Sequence, residues 1–178
     1  GGITLVADDG RNIELFFNTA NADSDFSRLT GLKQGVQTGT FSLESAVETP
    51  INITTATNGN ISRAGLAVAN YNSYNLSTVT SATRPEVKTV AQIKSLGIND
   101  LKINGVAIRA ANPDDDTLSN LMSSTSSRAA SAIATAAAIN VSTAKTGVTA
   151  VPVPSKISGD VTSTALPSAA TLAATADS

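Results

Sequence analysis

Cysteine, histidine and tryptophan are absent from this 178-residue chain. Without cysteine there is no disulfide framework and no thiolate zinc site. Without histidine there is no Ser-His-Asp triad, and most zinc hydrolase centres go with it. Aromatic residues make up only 3% of the chain, so few rings remain to line the apolar pocket on which most small-molecule sites depend. Charge is also scarce: 12 Lys plus Arg against 14 Asp plus Glu leave a net charge of -2. No basic cluster provides the electrostatic footprint of a nucleic-acid binder. No run of about 18 apolar residues occurs, so no segment reads as a membrane-spanning helix. The opening Gly1-Gly2-Ile3 has neither Met nor the charged and apolar regions of a signal peptide, which suggests a fragment or a processed chain.

Hydroxyls and alanine take the place of what is missing. The sequence holds 21 Ser, 23 Thr and 28 Ala. Its exterior is therefore hydroxyl-rich rather than charge-rich, and its core must be built from Val, Ile, Leu and Ala. A chain of this length buries roughly 70% of the surface it exposes when unfolded, enough for one stable domain or two small ones.

The pattern along the chain is mostly that of strands. Ile3, Leu5 and Ala7 alternate with polar neighbours, Asp8-Asp9-Gly10 supplies a turn, and Ile13 and Leu15 resume the alternation before Phe16-Phe17. This predicts a hairpin over residues 1–17, with the aspartates serving turn chemistry rather than calcium. Residues 18–30 are polar and loop-like. Period-two alternation over Thr38–Ser45 and Pro50–Thr54 predicts two strands with a turn around Glu48–Pro50, and Asn58-Gly59 marks another turn. Tyr71 and Tyr74 fit the edge of a small core, hydroxyls in water. Pro85 to Leu96 predicts a short helix closed by Gly97.

The sharpest local signal is Asn104-Gly105 between Leu101, Ile103 and Val106, Ile108, a two-residue hairpin loop. Asn112-Pro113-Asp114-Asp115-Asp116-Thr117 follows. Adjacent carboxylates rarely converge on one point, so the expectation is an exposed turn before a helix rather than a metal or acid-base site. That helix is predicted over Arg128–Asn140, capped by Ser126 or Ser127, with Ala130, Ile133, Ala134, Ala137 and Ala138 as its apolar face. Val148, Ala150 and Val153 predict a strand broken by Pro152 and Pro154. Residues 155–178 lose all periodicity and read as a Ser/Thr/Ala/Pro-rich tail or linker.

The expected fold class is α+β: mostly antiparallel strands and hairpins, with one main Ala-rich helix packed on a sheet. Three parts are expected. These are a β-rich region at 1–96, in which 1–17 pair with the following unit, a hairpin–helix–strand unit at 97–154, and the tail at 155–178.

Several of these residues resemble a known family. Leu101-Lys102-Ile103-Asn104-Gly105-Val106-Ala107-Ile108, then Ala136-Ala137-Ala138-Ile139-Asn140 and Thr146-Gly147-Val148-Thr149-Ala150, resemble the flagellin hook IN motif. Gly1–Leu5 with Ala7–Ile13 resembles the back half of the same unit. Gly31-Leu32-Lys33, Thr38-Gly39, Ser42-Leu43-Glu44-Ser45, Pro50-Ile51 and Ala64-Gly65-Leu66 resemble the outer regions of bacterial flagellins. The resemblance implies the central, surface-exposed region of a secreted, extracellular structural protein of the bacterial flagellum, serving motility. Its partners would be other flagellin subunits, engaged through terminal helices outside this sequence, and neighbouring outer domains; nucleic acid and membrane are not expected. Outer domains of the family are antigenic and often O-glycosylated, which the 44 hydroxyl residues permit. The resemblance implies no enzyme, no catalytic residue, no cofactor and no metal. The same motif occurs in hook-associated and filament cap proteins. A β-rich adhesin or phage-fibre binding module shares the composition. An enzyme would need two carboxylates facing each other across a cleft.

Overall fold

The structure, a computed structural model, describes residues 2–16, 27, 29–45, 49–71, 78–80 (backbone only), 93–122 and 127–159. The fold is α+β, with antiparallel strands in several sheets and one main helix. The strands are β1 (Thr4–Ala7), β2 (Ile13–Leu15), β3 (Gly35–Gln37), β4 (Thr40–Ser45), β5 (Ile51–Thr54), β6 (Ala69–Tyr71), β7 (Thr78–Thr80), β8 (Lys102–Ile103), β9 (Val106–Ala107), β10 (Val148–Val153) and β11 (Ser155–Ser158). The main helix is α1 (Ala132–Asn140), followed by one helical turn, α2 (Thr143–Thr146). Four sheets result: β10-β4-β7, β6-β5-β8-β9, and the pairs β1-β11 and β2-β3.

Alternation decides which side chains enter the core. In β5, Ile51 and Ile53 are fully buried and Asn52 between them is exposed. In β10, Val148 and Ala150 are buried while Val151 is exposed. Ile53 faces Ile103 across the β5-β8 ladder. These side chains join Phe41, Leu43, Leu101, Ile108 and the inner residues of α1 in one apolar cluster. Burying each Ile or Leu in it stabilises the fold by about 1.5–3 kcal/mol. Asn104 (φ 50) and Gly105 (φ 82) turn the β8-β9 hairpin in the left-handed conformation that these two residue types tolerate best. Tyr71 is half-buried against the core, and Asn58 (φ 67) turns the chain where Gly59 donates to the Ala56 carbonyl at 3.0 Å.

Helix α1 lies against β10 and β4. It begins later than its alanine run suggests. Ser127 is left-handed (φ 45) and makes no side-chain cap. Arg128–Ala130 forms one 3-10 turn, and Ser131 is the true cap, its Oγ accepting from the Ala134 N–H at 3.1 Å. A serine four residues further on caps better because its backbone is extended there. The buried face also differs from the expected one. Ala132, Ala134, Thr135, Ala136, Ala138 and Ile139 are buried, whereas Ile133 and Ala137 are only partly so. The helix is enclosed on most sides, and alanine is what lets neighbouring backbones come that close.

Strand pairing departs from the local pattern in three places. The turn at Asp8-Asp9-Gly10 forms, Gly10 (φ 80) donating to the Ala7 carbonyl at 3.2 Å, yet β1 and β2 do not pair. β1 pairs with β11 and β2 with β3. Alternation identifies a strand but not its partner, and the Asn12 side chain ties the intervening loop to the β3–β4 bend by accepting from the Gly39 N–H. β10 runs through Pro152 and ends before Pro154. It tolerates this because it is an edge strand, where a proline need not donate to a neighbour. Ser155–Ser158, placed by composition in the tail, is β11; the remaining residues of that tail, 160–178, lie outside the described residues. Of the helix expected over Pro85–Leu96, residues 93–96 are non-helical and 81–92 lie outside the described residues, as do Phe17 and Tyr74.

Candidate functional site

The residues with the most polar work are two asparagines and three buried or half-buried aspartates. Asn104 sits at the hairpin tip. Its N–H donates to the Asn52 carbonyl at 2.9 Å, and its Oδ1 accepts from the Asn52 N–H at 2.8 Å. Its Nδ2 reaches across to the Thr146 carbonyl at 2.8 Å. One side chain therefore joins β5, the hairpin and the α2 turn. The hairpin and α1 meet through the shared apolar cluster; the helix lies chiefly on β10 rather than across the ribbon.

Asn140 ends α1 and acts on β10. Its Oδ1 accepts from the Ala150 N–H at 2.7 Å and its Nδ2 donates to the Ala150 carbonyl at 2.9 Å. Two threonines serve the next outward residue. Thr146 Oγ1 accepts from the Val148 N–H at 3.1 Å, and Thr143 Oγ1 donates to the Val148 carbonyl at 2.9 Å. Gly147 (φ 70) closes α2 and returns the chain into β10.

The three adjacent aspartates diverge. Asp114 is exposed, its side chain 89% accessible and 3.8 Å from Arg128. Asp115 closes a 3-10 turn over Pro113–Asp115 by a reciprocal cap: Asn112 Oδ1 accepts from the Asp114 N–H, and Asp115 accepts from the Asn112 N–H at 2.8 Å. Arg109 grips Asp115 with two bonds of 2.7 Å, and this guanidinium holds the carboxyl below its ordinary value. Asp116 is fully buried, contrary to the exposed turn read from the sequence. Burial pushes its carboxyl up, but hydroxyl donors from Ser119 and Ser131 and the Ser119 and Leu118 backbone N–H groups outweigh that and lower it. A buried carboxylate that accepts three hydrogen bonds within its own turn is a structural anchor, and its burial follows from those donors.

Asp100 is a second anchor, 3% exposed. It accepts from the Asn60 N–H at 2.8 Å, the Gly97 N–H at 2.6 Å and Arg63 at 3.2 Å. Burial pushes its carboxyl up; the two backbone donors and the Arg63 charge bring it below the ordinary range. Asp9 is half-buried and paired with Arg11, whose hydrogen bonds lower it. Asp9, Asp100, Asp115 and Asp116 are thus each engaged by their own donors. Among the described residues no three of His, Cys, Asp and Glu gather as a metal centre, and no helix is long and apolar enough to cross a membrane.

Sequence reasoning missed Asn140, Thr143 and Thr146 as strand partners and Asp100 and Asp116 as anchors. The only local signal for Asn140 is an asparagine that ends an alanine helix ten residues before an outward strand position. No family model matches the chain, and neither a curated protein nor a solved structure matches it.

Proposed function

We propose that this chain is a non-catalytic structural module: the outer, surface-exposed domain of a bacterial flagellin, carried by the filament outside the cell. The carrying observation is that β1 and β11 pair antiparallel, Thr4 opposite Ser158, with Gly159 donating to the Ile3 carbonyl at 2.8 Å. Connections at Gly2 and Gly159 therefore run side by side, the arrangement suited to a domain that stands off a support on two adjacent strands. The hydroxyl-rich composition and the separate engagement of Asp9, Asp100, Asp115 and Asp116 support a spacer better than a reaction centre. The flagellin-like blocks at 31–66 and 101–150 supply the filament assignment. Filament subunits would be its partners, engaged through helices outside this sequence.

Immunogold electron microscopy tests this. Antiserum raised against the 178-residue chain should decorate the flagella of the encoding bacterium along their whole length. Label confined to the cell body, to the hook or to the filament tip would overturn the flagellin assignment. Saturable binding of the chain to a glycan array would favour an adhesin-type module instead.

A further inference from the structure

We propose that the outward edge of β10 is sealed by side chains so that copies of this chain cannot join there by strand pairing. Among the described residues β10 lies at the edge of its sheet, bonded to β4 on one side only. Such an edge ordinarily presents a row of free N–H and C=O groups that template another strand. In an antiparallel ladder alternate residues point away from the neighbour, and in β10 these are Val148, Ala150 and Pro152. Two of the three are closed to a second strand, and the third cannot donate to one. Val148 has its N–H taken by Thr146 and its carbonyl by Thr143. Ala150 has both groups taken by the Asn140 amide, which imitates the bonding of a strand residue. Pro152 has no N–H to offer. The intervening Val151 is 42% exposed, an apolar side chain that would favour association if the edge were open.

The occupant excluded is β10 of a second copy. Pairing two such edges antiparallel would extend the sheet across a two-fold axis. Asn140 is the removable element, because it also pins the end of α1 over Ala150. The inference concerns the chain by itself and stands whatever assembly carries it.

The test uses the 178-residue chain with Asn140→Ala, Pro152→Thr and the double substitution. A core variant, Ile53→Val or Ile53→Ala, is chosen to match the urea midpoint of Asn140→Ala. Sedimentation velocity across a concentration series gives association, and hydrogen exchange gives the opening at the Ala150 amide. The double variant should associate at a concentration at least about tenfold below that of the matched control, and Ala150 exchange should quicken about tenfold or more in Asn140→Ala. Equal association in the control, or a double variant that stays monomeric, would overturn the proposal. If Asn140→Ala does not fold, hydrogen exchange of the unsubstituted chain carries the test: the Val148 and Ala150 amides, which face away from β4, should be protected as well as the ladder amides of Thr149 and Val151, and exchange about tenfold or more faster at Val148 and Ala150 would refute the sealed edge.

Discussion

The Ser131 hydroxyl lies near the buried Asp116 and helps to lower its carboxyl, and that same Ser131 oxygen caps α1 by accepting from the Ala134 N–H at 3.1 Å. The carboxylate thus acts on the helix at second hand. Its negative charge sits near the positive end of α1. The turn after the hairpin and the start of the helix are joined through one buried charge.

Replacing that charge should be costly. Asp116→Ala leaves the Leu118 and Ser119 N–H groups and the Ser119 hydroxyl without their acceptor. A loss of about 3 kcal/mol is expected, read as a shift of the urea midpoint. Asp116→Asn keeps one carbonyl acceptor and should lose about half as much. A full-strength Asp116→Ala variant would show that the anchor contributes nothing.

Acid should unfold the protein through its aspartates. Asp9, Asp100, Asp115 and Asp116 all have folded pKa values below the ordinary 3.8. Groups of this kind stabilise the fold above the unfolded value and lose that contribution as pH falls through the folded one. With no histidine to titrate, thermal stability should be level between about pH 5 and pH 8. It should fall below about pH 4, as melting curves by circular dichroism would show. Equal melting at about pH 3 and pH 7 would contradict the role given to these carboxylates.

Two glycines should answer differently to alanine. A Cβ at Gly39 would fall on the Gly10 carbonyl oxygen and 2.9 Å from Ser155 Oγ, so backbone must move. Gly39→Ala should cost about 3 kcal/mol. Gly105 (φ 82) has open space around it and only its left-handed backbone to lose, so Gly105→Ala should cost about 1–2 kcal/mol. Urea titration of both variants would rank them; the reverse order would show that the Gly10–Gly39 approach is not tight.

A pair of asparagines separates turn geometry from clamping. Asn58 and Asn104 are both left-handed before glycine, but only Asn104 ties Asn52 to Thr146. Asn104→Ala should destabilise by about 2 kcal/mol more than Asn58→Ala. Midpoints within a few tenths of each other would remove the clamp from the account.

Legibility followed the range of the interaction. The Asn104-Gly105 hairpin, the burial of Ile51 and Ile53 around exposed Asn52, and the strand over Thr40–Ser45 were readable because turn chemistry and period-two alternation act within a few residues. The helix was readable as a helix, but not its cap. Ser126, Ser127 and Ser131 are locally equivalent in the sequence. Asp114, Asp115 and Asp116 look alike in the sequence; one is in water, one is gripped by Arg109, and one is buried.

Composition alone settled what this protein lacks the side chains to do, and alternation settled which segments are extended and which residues turn them, since both depend on the residue and its near neighbours. The tertiary structure alone decided that β1 lies on β11 rather than on β2, that Asn140 serves as a neighbour for Ala150, and that Asp116 is enclosed. Each of those outcomes depends on backbone donors, acceptors and surfaces brought together from distant parts of the chain, and no local pattern encodes which of them will meet.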